Sequence, residues 1–89
     1  MKSEHIPIVN KLGLHARASA KLVELTRKFQ ADIQIAKDHD TVDGKSILGL
    51  LMLAAACGES VEVRASGSDE GEALSAVKEL FARKFDEDE

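Results

Sequence analysis

The chain has 89 residues, enough for one small domain, and its 44% hydrophobic content is ordinary for a globular fold. A domain of this size buries roughly two thirds or less of its unfolded surface, so function is expected on a surface and not in a deep enclosed pocket. The net charge of −4 comes from the terminal Asp-Glu-Asp-Glu; without it, twelve acidic residues balance twelve basic ones, which argues against the broad basic field of a duplex-binding protein.

Residues 4–9 alternate, with Ile6 and Ile8 on one side, and predict a strand. Pro7 cannot donate to a ladder and places that strand at an edge or a bulge. The segment "NKLG" reads as a loop. Residues 16–29 predict a helix with an apolar stripe of Ala20, Leu22, Val23 and Phe29, Leu25 alongside. "ADIQIAK" (31–37) alternates around Ile33 and Ile35, "DHD" (38–40) is a tight turn, and "TVDG" is a short strand ending at Gly44. Residues 46–56 predict an apolar helix stopped near Gly58. "SVEVRAS" (60–66) alternates through Val61, Val63 and Ala65. A third helix is expected over 69–84, capped by Ser68 or Asp69 with Glu72 completing a capping box, and burying Ala73, Val77, Leu80, Phe81 and Lys84. The acidic residues 86–89 are expected to form a solvated, frayed end.

The order β-α-β-β-α-β-α implies an α+β, open-faced two-layer sandwich in which one face of a mostly antiparallel sheet carries the helices. The N-terminal stretch has no signal-peptide pattern, and the apolar run 47–57 is too short to span a bilayer. The single Cys57 cannot form an internal disulfide and fits a reducing, cytoplasmic setting. With no Trp or Tyr, and with Phe29, Phe81 and Phe85 spaced like core, no stacking platform for single-stranded nucleic acid is expected.

The chemistry concentrates in "GLHARASAKL", residues 13–22. A helix beginning at Ala16 puts His15 near its N-cap, where the first backbone N–H groups, those of Ala16 to Ala18, lack internal partners and carry partial positive charge. Anions are stabilised there. A phosphoryl group on His15 would reach those amides, and Arg17 adds a guanidinium suited to phosphate oxygens. The same field disfavours imidazolium, leaving a ring nitrogen with a lone pair for attack.

"NKLGLHARASAKL" and "GKSILGLLMLAA" (44–55) strongly resemble the two signatures of HPr, the histidine-containing phosphocarrier family of the bacterial phosphoenolpyruvate phosphotransferase system. The resemblance covers residues 1–89 as one HPr-like domain. It implies a four-stranded antiparallel sheet covered on one face by three helices. It also implies phosphorylation of His15 on Nδ1 by Enzyme I, with Arg17 neutralising the phosphoryl charge and delivery to EIIA-type acceptors. The protein would then be a carrier within a relay and not a stand-alone enzyme. Ser46 aligns with the serine that an HPr kinase/phosphorylase modifies in some bacteria. The family usually has proline where this chain has Ala18. That exchange should cost little, because the N–H of that position is unpaired in a first helical turn. Ser19, which follows, is expected at an exposed position.

Ser46 also reads as an N-cap, worth about 1 kcal/mol. "GKS" is not a P-loop, since His39 stands where a glycine is needed. The second helix is apolar nearly all round. Leu50 and Leu53 are assigned to the core, which leaves Ile47, Leu48 and Leu51 as a surface patch for partner docking, with Lys45 as an adjoining charge. Lys21, Arg27 and Lys28 are either solvated or steering charges. His5, His39 and Cys57 lack metal-ligand spacing, and Cys57 is expected semi-buried and inert. No metal or cofactor is implied, no direct membrane insertion is expected, and the chain should act as a monomer. A regulatory binder acting through Ser46 and the apolar patch is the alternative reading.

Overall fold

Alternating apolar residues in four segments build one antiparallel sheet. In the computed structural model, which describes residues 1–87, these are β1 (Lys2–Pro7), β2 (Asp32–Lys37), β3 (Asp40–Asp43) and β4 (Ser60–Ser66), ordered β1-β4-β2-β3. The register sets Ile6 opposite Val61, Ile35 opposite Val63 and Ile33 opposite Ala65, so all six point into the same core. Asp32, Gln34, Glu62 and Arg64 alternate with them on the open face, where Arg64 pairs with Glu62. Helices α1 (Ala16–Thr26), α2 (Ile47–Leu53) and α3 (Glu70–Ala82) close the apolar side: α3 lies on β1 and β4, α2 on β3 and β2, and α1 on both helices. This is the α+β open-faced sandwich that the element order implies. Pro7 ends an edge strand, as its missing donor requires.

Several boundaries differ from the sequence expectation, each for a local reason. β1 runs from Lys2 to Pro7, not over 4–9, and Ile8 is buried just beyond it, its backbone tied to Glu59 and Gly58. α1 stops at Thr26, three residues before Phe29. The Thr26 hydroxyl, fully buried, donates to the Gly44 carbonyl at 2.8 Å, and the chain beyond tightens into three-residue turns. The buried stripe of α1 is Ala18, Ser19, Leu22, Val23 and Thr26; Ala20 is exposed. α2 stops at Leu53 and not at 56, because Ala54 takes a left-handed conformation (φ 53°) and the buried Ala55 turns its carbonyl to the Leu14 amide.

At the start of α3 the expected capping box does not form. Asp69 occupies the cap position, but its carboxylate accepts from the backbone amides of Gln30 and Ala31 at 2.9 and 2.8 Å. Glu70, not Glu72, reaches back to accept from the Gly67 amide. The helix ends at Ala82, buries Leu74 in addition to the expected stripe, and leaves Lys84 exposed.

Residues 86 and 87 of the expected frayed tail are ordered against the domain; Asp88 and Glu89 lie outside the described residues. Lys84, Phe85 and Asp86 all adopt left-handed backbone conformations (φ 58°, 56° and 60°). Each such residue costs roughly 1–2 kcal/mol. Burial of the Phe85 ring against Phe81, with centroids 4.8 Å apart, offsets that cost, and Asp86 adds ion pairs to Lys21 and Arg83. The tail is therefore folded back across the start of α1.

Candidate functional site

The loop before α1 is held from both sides. Asn10 is fully buried and donates to the Gly13 carbonyl at 2.8 Å. Gly13 has φ +65°, and a Cβ there would lie 2.6 Å from the Ala55 carbonyl oxygen, so glycine alone fits. Leu14 donates its amide to that same carbonyl at 2.9 Å. Ser19, fully buried against the expectation of exposure, donates its hydroxyl to the Leu14 carbonyl. These bonds deliver His15 to the N-cap of α1 in an extended conformation, with its ring 27% exposed.

The ring does the capping. Nδ1 accepts from the Arg17 amide at 3.3 Å, so this nitrogen carries a lone pair directed at the helix start. Ala16 and Arg17 are exposed and Ala18 is fully buried; of these first-turn amides, that of Arg17 is the one bonded to the ring. Among the described residues the Arg17 guanidinium has no hydrogen-bond or ion-pair partner. A site of this kind can bind an anion, and its bare ring nitrogen can act as a nucleophile.

Sequence reasoning missed Glu87. Its Oε2 lies 2.5 Å from His15 Nε2, and its Oε1 accepts from Asn10 Nδ2 at 3.0 Å. Burial pushes the Glu87 carboxyl up, but the hydrogen bonds from Asn10 and His15 and the nearby charge of Arg17 outweigh it and hold the group below the usual carboxylate range. No spacing rule links positions 15 and 87. The available signal was Phe85, an aromatic residue immediately before the acidic run, which has to bury its ring and so carries the chain back to the body.

The second motif lies at the neighbouring helix. Ser46 Oγ accepts from the Gly49 amide at 3.0 Å and caps α2. Leu50 and Leu53 are buried, while Ile47, Leu48 and Leu51 are 39%, 67% and 39% exposed, the partition expected of them. Met52 and Leu12 are exposed as well. Lys45, next to this patch in the chain, donates its Nζ to the Phe29 carbonyl at 2.8 Å. Lys21 pairs with Asp86, and Arg27 reaches the Lys45 carbonyl. Cys57, expected semi-buried, is exposed. His5 and His39 are exposed: one lies in β1, the other in the β2–β3 turn. No helix among the described residues is long and apolar enough to cross a membrane.

Comparison with known proteins agrees with this geometry. The family model for the HPr component phosphorylation site of the phosphotransferase system matches residues 2–83. The phosphocarrier protein HPr of Neisseria meningitidis serogroup A is 45% identical over 89 residues, covering all of both chains. The phosphocarrier protein NPr of Escherichia coli K12 is 46% identical over 84 residues, 93% of each chain. Among solved structures, HPr of Thermoanaerobacter tengcongensis superposes with a TM-score of 0.96 at 42% identity, covering 100% of both chains.

Proposed function

This chain belongs to the HPr family of phosphocarriers of the phosphotransferase system, and from that premise we propose that His15 is its phosphoryl acceptor, charged by Enzyme I and discharged to EIIA-type domains. The observation that carries the reading is the His15 ring at the N-cap of α1, with Nδ1 turned to the first amides of the helix. The Nδ1 lone pair attacks phosphorus as the donor's bond to phosphorus breaks and its electron pair leaves with the donor. The transferred oxygens then meet the amides of Ala16 to Ala18 and the unpaired guanidinium of Arg17. Discharge is the reverse step, with the acceptor supplying the lone pair. The N–P bond is labile enough for both directions, which suits a cytoplasmic, monomeric carrier that turns over no small molecule alone.

The apolar residues Ile47, Leu48 and Leu51 serve this reading as a docking surface beside the site. Ser46 serves as its control point: a phosphate there displaces a capping hydroxyl and sets about two negative charges next to the patch, which repels an acidic partner surface. The test is incubation with Enzyme I and phosphoenolpyruvate, read by intact mass. One added phosphoryl group, lost in acid and absent in His15→Ala, is expected. No gain in mass, with Enzyme I active on another carrier, overturns the reading and leaves a regulatory binder acting through Ser46.

A further inference from the structure

Glu87 stands where a positioning group for His15 has to stand. Nδ1 accepts a backbone N–H, so in the neutral ring the proton sits on Nε2, and Nε2–H donates to Glu87 Oε2 at 2.5 Å. The carboxylate is itself fixed. It is 14% exposed, Asn10 holds its second oxygen, and three successive left-handed residues anchored by the buried Phe85 aim it at the ring. Backbone strain spent on placing one carboxylate against one imidazole points to a purpose beyond solvation of an acidic run.

We propose that Glu87 is a positioning residue for phosphoryl transfer through His15: it selects the Nε2–H tautomer, fixes the ring's rotation and balances the charge that the ring acquires on attack. This rests on His15 being the acceptor. When Nδ1 forms its bond to phosphorus it has no proton to lose, so the Nε2 proton stays and the ring becomes formally cationic. That charge develops facing the Glu87 carboxylate. The division of labour follows the general pattern in which a carboxylate orients an imidazole by one nitrogen while the other does the chemistry. Arg17 stays free for the phosphoryl oxygens because Glu87 is committed to His15 and Asn10.

The experiment compares the full chain with Glu87→Ala and Glu87→Gln. Proton and nitrogen-15 NMR of the His15 ring is read first, without any phosphoryl donor. The wild-type ring should show one tautomer, with a slowly exchanging Nε2–H and a bare Nδ1. Glu87→Gln should keep that proton, since its amide oxygen still accepts; Glu87→Ala should lose it. The rate of phosphorylation by Enzyme I should fall about tenfold in Glu87→Ala. The fall in Glu87→Gln should be smaller, because only the charge is gone. Unchanged backbone amide spectra away from the tail establish that the variants are folded. A wild-type ring protonated on Nδ1, or equal rates in wild type and Glu87→Ala, overturns the role of Glu87 while leaving the carrier intact. A wild-type chain that takes no phosphoryl group from active Enzyme I overturns the carrier reading, and the role of Glu87 falls with it.

Discussion

Asn10 is the side chain on which both halves of the site depend. Its amide nitrogen serves the Gly13 carbonyl of the loop and the Glu87 carboxylate of the tail, while its own Oδ1 is buried without a partner among the described residues. Replacing it by alanine removes two hydrogen bonds but also one orphaned acceptor, so Asn10→Ala should cost about 1–2 kcal/mol in urea unfolding. It should also free Glu87, and the His15 Nε2–H should exchange faster. Arg17 makes a complementary case. It is exposed and, among the described residues, its guanidinium makes no hydrogen bond or ion pair, and lysine keeps its charge, so Arg17→Lys should leave the urea midpoint unchanged. The same change should slow phosphorylation several-fold, because an ammonium cannot fork two phosphate oxygens as a guanidinium does. A shift in the midpoint would show that Arg17 supports the fold and would weaken its assignment to phosphate.

Two elements are held by tertiary bonds that no local propensity encodes. The α1–β2 connection is fastened by Asp69, whose carboxyl is held below its ordinary value of 3.8 first by the Gln30 amide and further by that of Ala31, against an opposing effect of burial. The sign follows from that depression. Between the folded value and 3.8 the unfolded chain binds more protons, so this contribution is complete above 3.8 and is lost as pH falls through the folded value. Urea midpoints should therefore fall more steeply below pH 4 in wild type than in Asp69→Asn; parallel curves would show that the carboxylate is not used. The left-handed turn after α3 depends on Phe85. Removing its ring should cost about 3–5 kcal/mol by unfolding, enough to release the tail as well. The strands and the cores of the helices were readable from period-two and period-3.6 patterns. The helix ends were not, because Thr26, Ala55 and Asp69 each bond to a residue brought near only by the fold. Ser19 was misread for the same reason. A serine in a first turn reads as surface until the Leu14 carbonyl is placed beneath it.

At the scale of the whole molecule, the sheet keeps one open polar face and gives its apolar face to the helices, so the loop that carries His15 and the exposed side of α2 belong to the same helical layer. That arrangement made His15 and the apolar patch legible from sequence, since each lies within one motif. Glu87 was not legible, because it reaches the site only through closure of the whole chain. The layer also separates docking from stability. Leu48 is 67% exposed and Leu50 is fully buried, although both lie on the same seven-residue helix. Leu48→Ser removes apolar surface that water already reaches, so it should change unfolding free energy by less than about 0.5 kcal/mol. If partners seat on this face, the same change should raise the KM of Enzyme I for the carrier several-fold with kcat little altered, because it removes binding energy shared by ground and transition states. Leu50→Ala should do the opposite, losing about 2–5 kcal/mol of stability through a cavity. A Leu48→Ser variant phosphorylated with unchanged KM would move the docking surface off α2, toward the exposed Leu12 and Arg17 that flank His15 in the chain.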